Sequence, residues 1–287
     1  MYLDQRTKKF LKVFMLVAVV FVLVGCARNL DADGKLIAER AIDESTKWSL
    51  SAGIFDFILT IPLAKIIIFI SQYLGNVGLG VIGVTILVNI IILPVMIKST
   101  ISSQKMQMLQ PEMEKIQRKY AGRKDQTSQM RQSAEIQALY KKNDVSMLGS
   151  FTMLLTLPIM FAMWQAVQRI KILYETTFVG LSLGLTPMSQ ILSGHVQYLV
   201  IVAIVGLSQF FAMEINNLML KRNPRYKVSK QQKSMKTMNY VMTVMIVWFA
   251  LSMPTAMSLY WITTSIVTIV RTVYIQIFHI EKNYKNN

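Results

Sequence analysis

The side chains that could do chemistry in this chain are few, and most of them are neutral. His195 and His279 are the two imidazoles and Cys26 the one thiol in 287 residues. No Ser/His, Cys/His or metal-ligand spacing appears, so general-base catalysis, covalent catalysis and a metal centre all lack their residues, and no cofactor is implied. What remains is a set of amides and hydroxyls embedded in apolar runs. Asn89 sits in the middle of GVTILVNIIILPVMIK, residues 83–98, with Thr85 one turn earlier on the same helical face. Gln209 lies in a second such run, and Thr263, Thr264 and Ser265 lie in a third. Their chemistry is hydrogen bonding. Two roles are open to them: gluing helices together, or lining a wet polar groove. Glu214 is the one acid in these runs and sits near the end of its own, whereas a coupled transporter places an ionisable group near the midplane.

The elements that must position these groups are membrane spans. The chain is 53% hydrophobic with a mean hydropathy of +0.41, and only 16% of its residues are charged. Fourteen Ile, Leu and Val residues between Val77 and Ile97 contribute roughly −4 to −8 kcal/mol to insertion, so one amide does not prevent it. The reading is an all-α membrane protein: a five-helix transmembrane bundle with spans at 77–97, 147–168, 196–217, 237–253 and 256–277. A segment at 54–74, interrupted by Asp56, Pro62, Lys65 and Gln72, reads as an amphipathic helix lying in the interface.

The net charge of +16 is clustered, and its first meaning is topology rather than nucleic acid; no DNA partner is expected. Ten Lys or Arg residues fall between Lys98 and Lys142, and seven basic residues without an acid fall in 218–236. With 54–74 lying flat, both tracts are cytoplasmic, as is the tail at 279–287. The N-terminus carries Arg6, Lys8, Lys9 and Lys12, a short apolar core from Phe14 to Val22, and Leu23-Val24-Gly25-Cys26. This resembles a bacterial lipobox. Residues 1–25 are then a signal peptide, Cys26 carries the lipid (palmitate), and 26–53 form an extracytoplasmic spacer.

The tract at 98–146 reads as a helical hairpin. Met106, Leu109, Met113, Ile116 and Tyr120 fall on one stripe, Pro111 reads as the first turn of a new helix, and Ala121-Gly122 breaks the pattern before a second helix at about 127–142. Lys105, Arg118, Arg123 and Lys124 give the hairpin its basic faces, and Met106 and Met113 an adaptable apolar surface. These six residues are the candidate contacts for clients or a ribosome.

Three motifs together resemble the YidC membrane protein insertases of bacteria: Leu93-Pro94 with Lys98, Leu109-Gln110-Pro111-Glu112, and Pro254 followed by Leu259-Tyr260-Trp261. The resemblance covers about residues 48–278, and a lipobox with five spans is similar to the Gram-positive form. It implies a hydrophilic groove open to the cytoplasm, through which nascent membrane proteins are inserted and helped to fold, alone or with the Sec translocon. Further partners it implies are membrane lipids and the ribosome or signal recognition particle receptor. By this resemblance the groove residues are Thr85, Asn89, Gln209, Tyr260, Trp261 and Thr264. Five residues before the Pro of the first span the family has an arginine; here that position is Asn89, a donor and acceptor without charge. Arg271 stands near the inner end of its helix, where it can snorkel. After Ile280 only Lys282 and Lys285 are basic, so the long basic tail of some relatives has no counterpart. A small-solute transporter or channel using the same polar cavity is the alternative reading.

Overall fold

The computed structural model describes Asn29 and residues 36–123, 125–145, 152–222 and 230–281, with side chains for all of these except 152–155, 230–235 and 279–281. The signal segment, Cys26 and Lys124 lie outside the described residues.

The apolar blocks fold as helices. A π turn at Asp56–Thr60 runs on into α1, Ile61–Leu74, with Pro62 directly after the turn, and Gly75 ends the helix at φ 69°. Asn76 then caps α2, Val77–Met108, its Oδ1 accepting from the Gly78 N–H at 2.8 Å. Gly80 lets these two helices close on each other: a Cβ there would sit 2.6 Å from the Ile67 carbonyl oxygen. Gly80→Val must push backbone away, and a loss of about 1–3 kcal/mol is expected. A lowered melting temperature in detergent measures it.

At 32 residues α2 is about 48 Å long, well beyond the hydrocarbon thickness. It passes Pro94 and continues through Lys98, where the sequence places the start of the hairpin. The reason is packing: Ser99, Ser102, Gln104 and Gln107 are buried, so the polar extension rests on protein. The hairpin follows as α3, Gln110–Lys119, and α4, Gln126–Lys142. Gly122, at φ 84°, makes the turn, and Asp125 caps α4 by accepting from the Ser128 N–H at 2.8 Å.

The second half comprises α5 (Thr152–Arg169), a short antiparallel pair of β1 (Thr177–Phe178) and β2 (Leu181–Ser182), α6 (Pro187–Leu192), α7 (Tyr198–Lys221), α8 (Lys230–Ser252) and α9 (Thr255–Ile275). α9 packs against both α2 and α7; α1 covers α2, α5 meets the start of α1, and α8 packs on α7. The buried core joins Ile61, Ile67, Val81, Val84, Met163, Val205 and Met257. Facing outward are Phe69, Tyr73, Ile90, Ile91, Val241, Val244 and Trp248, an apolar exterior that suits hydrocarbon rather than water.

This is an all-α membrane protein. Among the described residues four stretches are long and apolar enough to cross a membrane by length and composition: Asp56–Leu74, Val77–Met108, Tyr198–Lys221 and Thr255–Phe278. The spans expected at 147–168 and 237–253 fall on α5 and α8, which are not among those four; α8 opens on Lys230, Lys233 and Lys236.

The spacer is tied to the bundle. The Asn29 amide donates to Gln165 Oε1 at 2.5 Å and Gln168 Oε1 at 3.0 Å. The Ile42 N–H donates to the Arg169 carbonyl at 2.6 Å. Arg169, the last residue of α5, donates from Nε to the Arg40 carbonyl at 2.8 Å and from Nη1 to Asp56 Oδ2 at 2.6 Å.

Candidate functional site

Three helices start at one end of the molecule, which sets a common depth scale. At α2, Gly78 lies against the Phe178 ring. At α7, the Tyr198 hydroxyl accepts from the Ser182 N–H at 2.7 Å. At α9, the Thr255 and Ala256 N–H groups donate to the Leu185 and Leu183 carbonyls at 2.8 and 3.0 Å. All three contacts are to the same loop segment, 178–185. Counting 1.5 Å per residue from these starts puts Thr85 about 12 Å down, Thr264 about 14 Å, Ser265 about 15 Å, Gln209 about 16 Å and Asn89 about 18 Å. The neutral polar groups of α2, α7 and α9 therefore occupy one layer near the middle of a bilayer's thickness.

Within the layer each side chain has a definite arrangement. The Thr85 hydroxyl donates to the Val81 carbonyl at 2.7 Å, and the Asn89 Nδ2 to the Thr85 carbonyl at 2.8 Å. Such bonds back to the preceding turn satisfy the donors on their own helix. Asn89 is 8% exposed and Thr85 1%. Ser265 Oγ lies 3.2 Å from Gln209 Oε1, the one direct side-chain bridge between α9 and α7 in this layer among the described residues. Tyr260 and Trp261 are buried on α9. The Thr264 Oγ1 is buried without a hydrogen-bond partner, as is the Ser258 Oγ on the same helix. All six groove residues expected from the resemblance thus lie on α2, α7 and α9, of which α9 packs against both others. Thr85, Asn89, Tyr260 and Trp261 are buried, and Gln209 and Thr264 are half-buried. A cavity of about 520 Å³ lies elsewhere, at the end where α2 begins, between Asp43, Glu44, Gln72, Asn76, Lys171 and Glu175.

Below this layer lies a further set of buried polar groups that sequence reasoning missed. Gln104 on α2 donates to Asn216 on α7 at 3.3 Å, and Gln107, Gln110, Thr272 and Gln276 are buried around the same end. Gln110 Oε1 has no hydrogen-bond partner. A signal was present: Ser102-Ser103-Gln104 and Gln107 form an uncharged polar stretch that a solvated linker would not need.

The hairpin uses part of its expected contact set internally. The Lys105 ammonium donates to the Asn143 and Asp144 carbonyls, both at 3.3 Å, capping the C-terminus of α4 against α2. Met113 is buried, its sulfur 2.8 Å from the Tyr140 hydroxyl, while Met106 is half-buried. Lys119 and Tyr120 both donate to Glu135 Oε1, at 2.6 and 2.7 Å. These bonds hold the Glu135 carboxyl below its usual range and the Lys119 ammonium above its own. Arg118, weakly paired with Glu114 at 3.7 Å, and Arg123 remain exposed. Among the described residues no group of His, Cys, Asp and Glu could hold a metal ion.

Residues 69–283 match the family model for the 60Kd inner membrane protein. The membrane protein insertase MisCA of Bacillus subtilis is 34% identical over 81% of this chain and 83% of its own. Membrane protein insertase YidC 2 of Listeria innocua is 30% identical over 93% and 83%, and membrane protein insertase YidC of Alkalihalophilus pseudofirmus 30% over 93% and 94%. The chain belongs to the 60Kd inner membrane protein family, that of the YidC insertases.

Proposed function

We propose that this chain is a bacterial membrane protein insertase: it accepts the polar flank of a nascent membrane protein between α2, α7 and α9 while the client's apolar helix passes sideways into lipid. The observation that carries this reading is the layer of neutral polar side chains at one depth on three packed apolar helices, in a chain of this family. A charged group at a helix centre costs about 2.5–3.5 kcal/mol on the insertion scale, and hydroxyls and amides already at that depth lower the barrier without ATP. Because Thr85, Asn89 and Ser265 are buried in this conformation, the client displaces side chains or separates the helices as it arrives.

Several finer features belong to the same proposal. Segment 54–74 lies in the outer interface, and five spans follow, at 77–97, 147–168, 196–217, 237–253 and 256–277. In support, Asp56 at its start meets Arg169, and Gly75 and Asn76 at its end share a cavity with Lys171 and Thr177, so both ends face one short segment. The basic hairpin at 98–146 is then cytoplasmic, where Arg118 and Arg123 can meet ribosomal phosphates, the signal recognition particle receptor or anionic lipid. Cys26 is lipidated after removal of residues 1–25. The protein works alone or beside the Sec translocon.

The test is depletion of the protein from cells lacking a paralogue, with a one-span client supplied. The client is expected to lose protease protection, and a photo-crosslinker at Trp261 or Thr85 is expected to capture it in undepleted cells. Undiminished insertion would overturn the reading.

A further inference from the structure

We propose that the charge-free segment 176–197 is a membrane-seated cap: Val179 at one end of it, and Leu192 and Val196 at the other, enter the boundary between headgroups and acyl chains in the leaflet where α2, α7 and α9 begin. The occupant of this surface is lipid. The inference goes beyond the insertase reading and takes from it only that this leaflet is the outer one.

Between Glu175 and Glu214 the chain has no Asp, Glu, Lys or Arg, and within 176–197 His195 is the only ionisable side chain. Where the segment projects, it projects aliphatic groups: Val179 is 84% exposed and Leu192 80%, and Leu185 and Val196 are exposed as well. Val179 is also the wrong residue for its backbone. It and Gly180, at φ 52° and 76°, form the two-residue turn between β1 and β2, and such a turn favours Asn-Gly because both positions need positive φ. A β-branched residue there is strained, and a side chain so exposed finds little packing within the chain to offset the strain. An apolar group held at a tip against its backbone preference gains from an apolar surrounding outside the protein.

Both ends of the segment are continuous with the lipid-facing exterior. At the first end Phe178 lies against Gly78, and the Thr177 carbonyl accepts from Asn76 Nδ2 at 3.4 Å, next to the corner that carries exposed Tyr73, Leu74 and Leu79. At the other end Leu192 and Val196 lead into Leu199 and Val200, exposed in the first turn of α7. β1 packs on α2, whereas α6 packs on α7 and α8, at the opposite end of the row α2, α9, α7, α8. A leaflet surrounds the molecule and meets both ends, while a partner protein docked on one side meets one. The lack of charge points to the acyl boundary rather than to a charged headgroup. Irregular backbone is not tolerated in hydrocarbon, which limits the depth to that boundary. The middle of the segment stays pinned on protein, because the Leu183 and Leu185 carbonyls accept from the Ala256 and Thr255 N–H groups of α9, and only the tips reach outward.

The experiment uses the full chain with Cys26→Ser, reconstituted at high lipid excess in phosphatidylcholine vesicles with and without phosphatidylglycerol. A nitroxide label is placed at Val179→Cys, at Leu192→Cys and, as an aqueous reference at the same end, at Lys171→Cys. Relaxation of the label by molecular oxygen, which concentrates in lipid, is compared with relaxation by a water-soluble nickel chelate. The oxygen-to-nickel ratio at 179 and at 192 is expected to exceed that at 171 by about threefold or more in both lipid mixtures. Leu192→Cys lies outside the strained turn, so it decides the matter even if Val179→Cys disturbs the hairpin. The vesicles hold no other protein, so a segment that needs a protein partner shows the aqueous value there. A ratio at 192 no higher than at 171 overturns the proposal, and so does a rise seen only with phosphatidylglycerol, which reports headgroup charge. Client insertion by the same labelled chains tests the insertase reading separately, so either can fail while the other stands.

Discussion

Asp56→Ala is expected to cost about 3 kcal/mol of stability, because it leaves Arg169 buried with its charge uncompensated. The side chains of the pair are 10% and 18% exposed and 2.6 Å apart, so water screens them little. Arg169 also closes α5, holds the Arg40 carbonyl through Nε, and accepts the Ile42 N–H on its own carbonyl. Losing its anion therefore loosens three pieces at once: the start of the α1 segment, the end of α5 and the N-terminal spacer. For a chain of this size the loss corresponds to a fall in melting temperature of roughly 6–12 °C in detergent. Hydrogen exchange around Ile42 should rise with it. The controls separate charge from packing. Asp56→Asn keeps an acceptor for Nη1 and is expected to lose less. Asp56→Leu combined with Arg169→Met removes both charges and is expected to recover most of the stability. If the double variant is no better than Asp56→Ala, the cost lies in shape and not in the unpaired guanidinium.

That ion pair marks the limit of what the chain's letters disclose. Its partners are 113 residues apart and share no period, so nothing local announces them. The same holds for Asn29, whose amide reaches Gln165 and Gln168 from a segment that reads as a polar spacer. Features with a local physical cause are far more legible. Pro111 stands in the first turn of α3, Gly122 turns the hairpin, and Pro254 separates α8 from α9, each because its backbone preference acts on its immediate neighbours. The all-α membrane class follows from apolar blocks of bilayer length. The end of α2 is the instructive miss: Lys98 looks like a boundary because charge begins there, but the helix runs ten residues further to Met108, where buried Gln104 finds Asn216 on α7. Composition shows where hydrocarbon stops, and helices can continue wherever protein takes its place. The six expected groove residues could be named from the resemblance, and the common depth of four of them, Thr85, Asn89, Gln209 and Thr264, emerges only when the starts of α2, α7 and α9 are tied to one loop. Lys105, read as a surface contact, turns out to cap α4, since a lysine's use depends on which carbonyls the fold brings within reach.

Asn89→Leu is expected to impair client insertion by about five- to thirtyfold, the equivalent of about 1–2 kcal/mol, and to leave the protein at least as stable as before. The two halves of that statement come from the same geometry. Asn89 is 8% exposed on an otherwise aliphatic stretch, and its one direct bond among those described runs back to the Thr85 carbonyl of its own helix. Leucine has the same branched skeleton with somewhat more bulk, brings no polar atom to bury and favours the helix more than asparagine does. If the amide were glue between helices, its removal would lower the melting temperature; a bond to its own helix predicts no such loss. Function is different. When a client's polar flank reaches the depth of Thr85 and Thr264, the amide supplies a donor and an acceptor that leucine cannot. Asn89→Arg supplies donors and a charge, and is expected to insert clients at least as well as the wild type, most visibly those with acidic flanks. Measuring protease-protected client and melting temperature on the same three proteins decides the matter. Leucine and arginine variants that insert equally well would mean that the side chain at position 89 takes no part in the transfer, whatever its neighbours on α7 and α9 do.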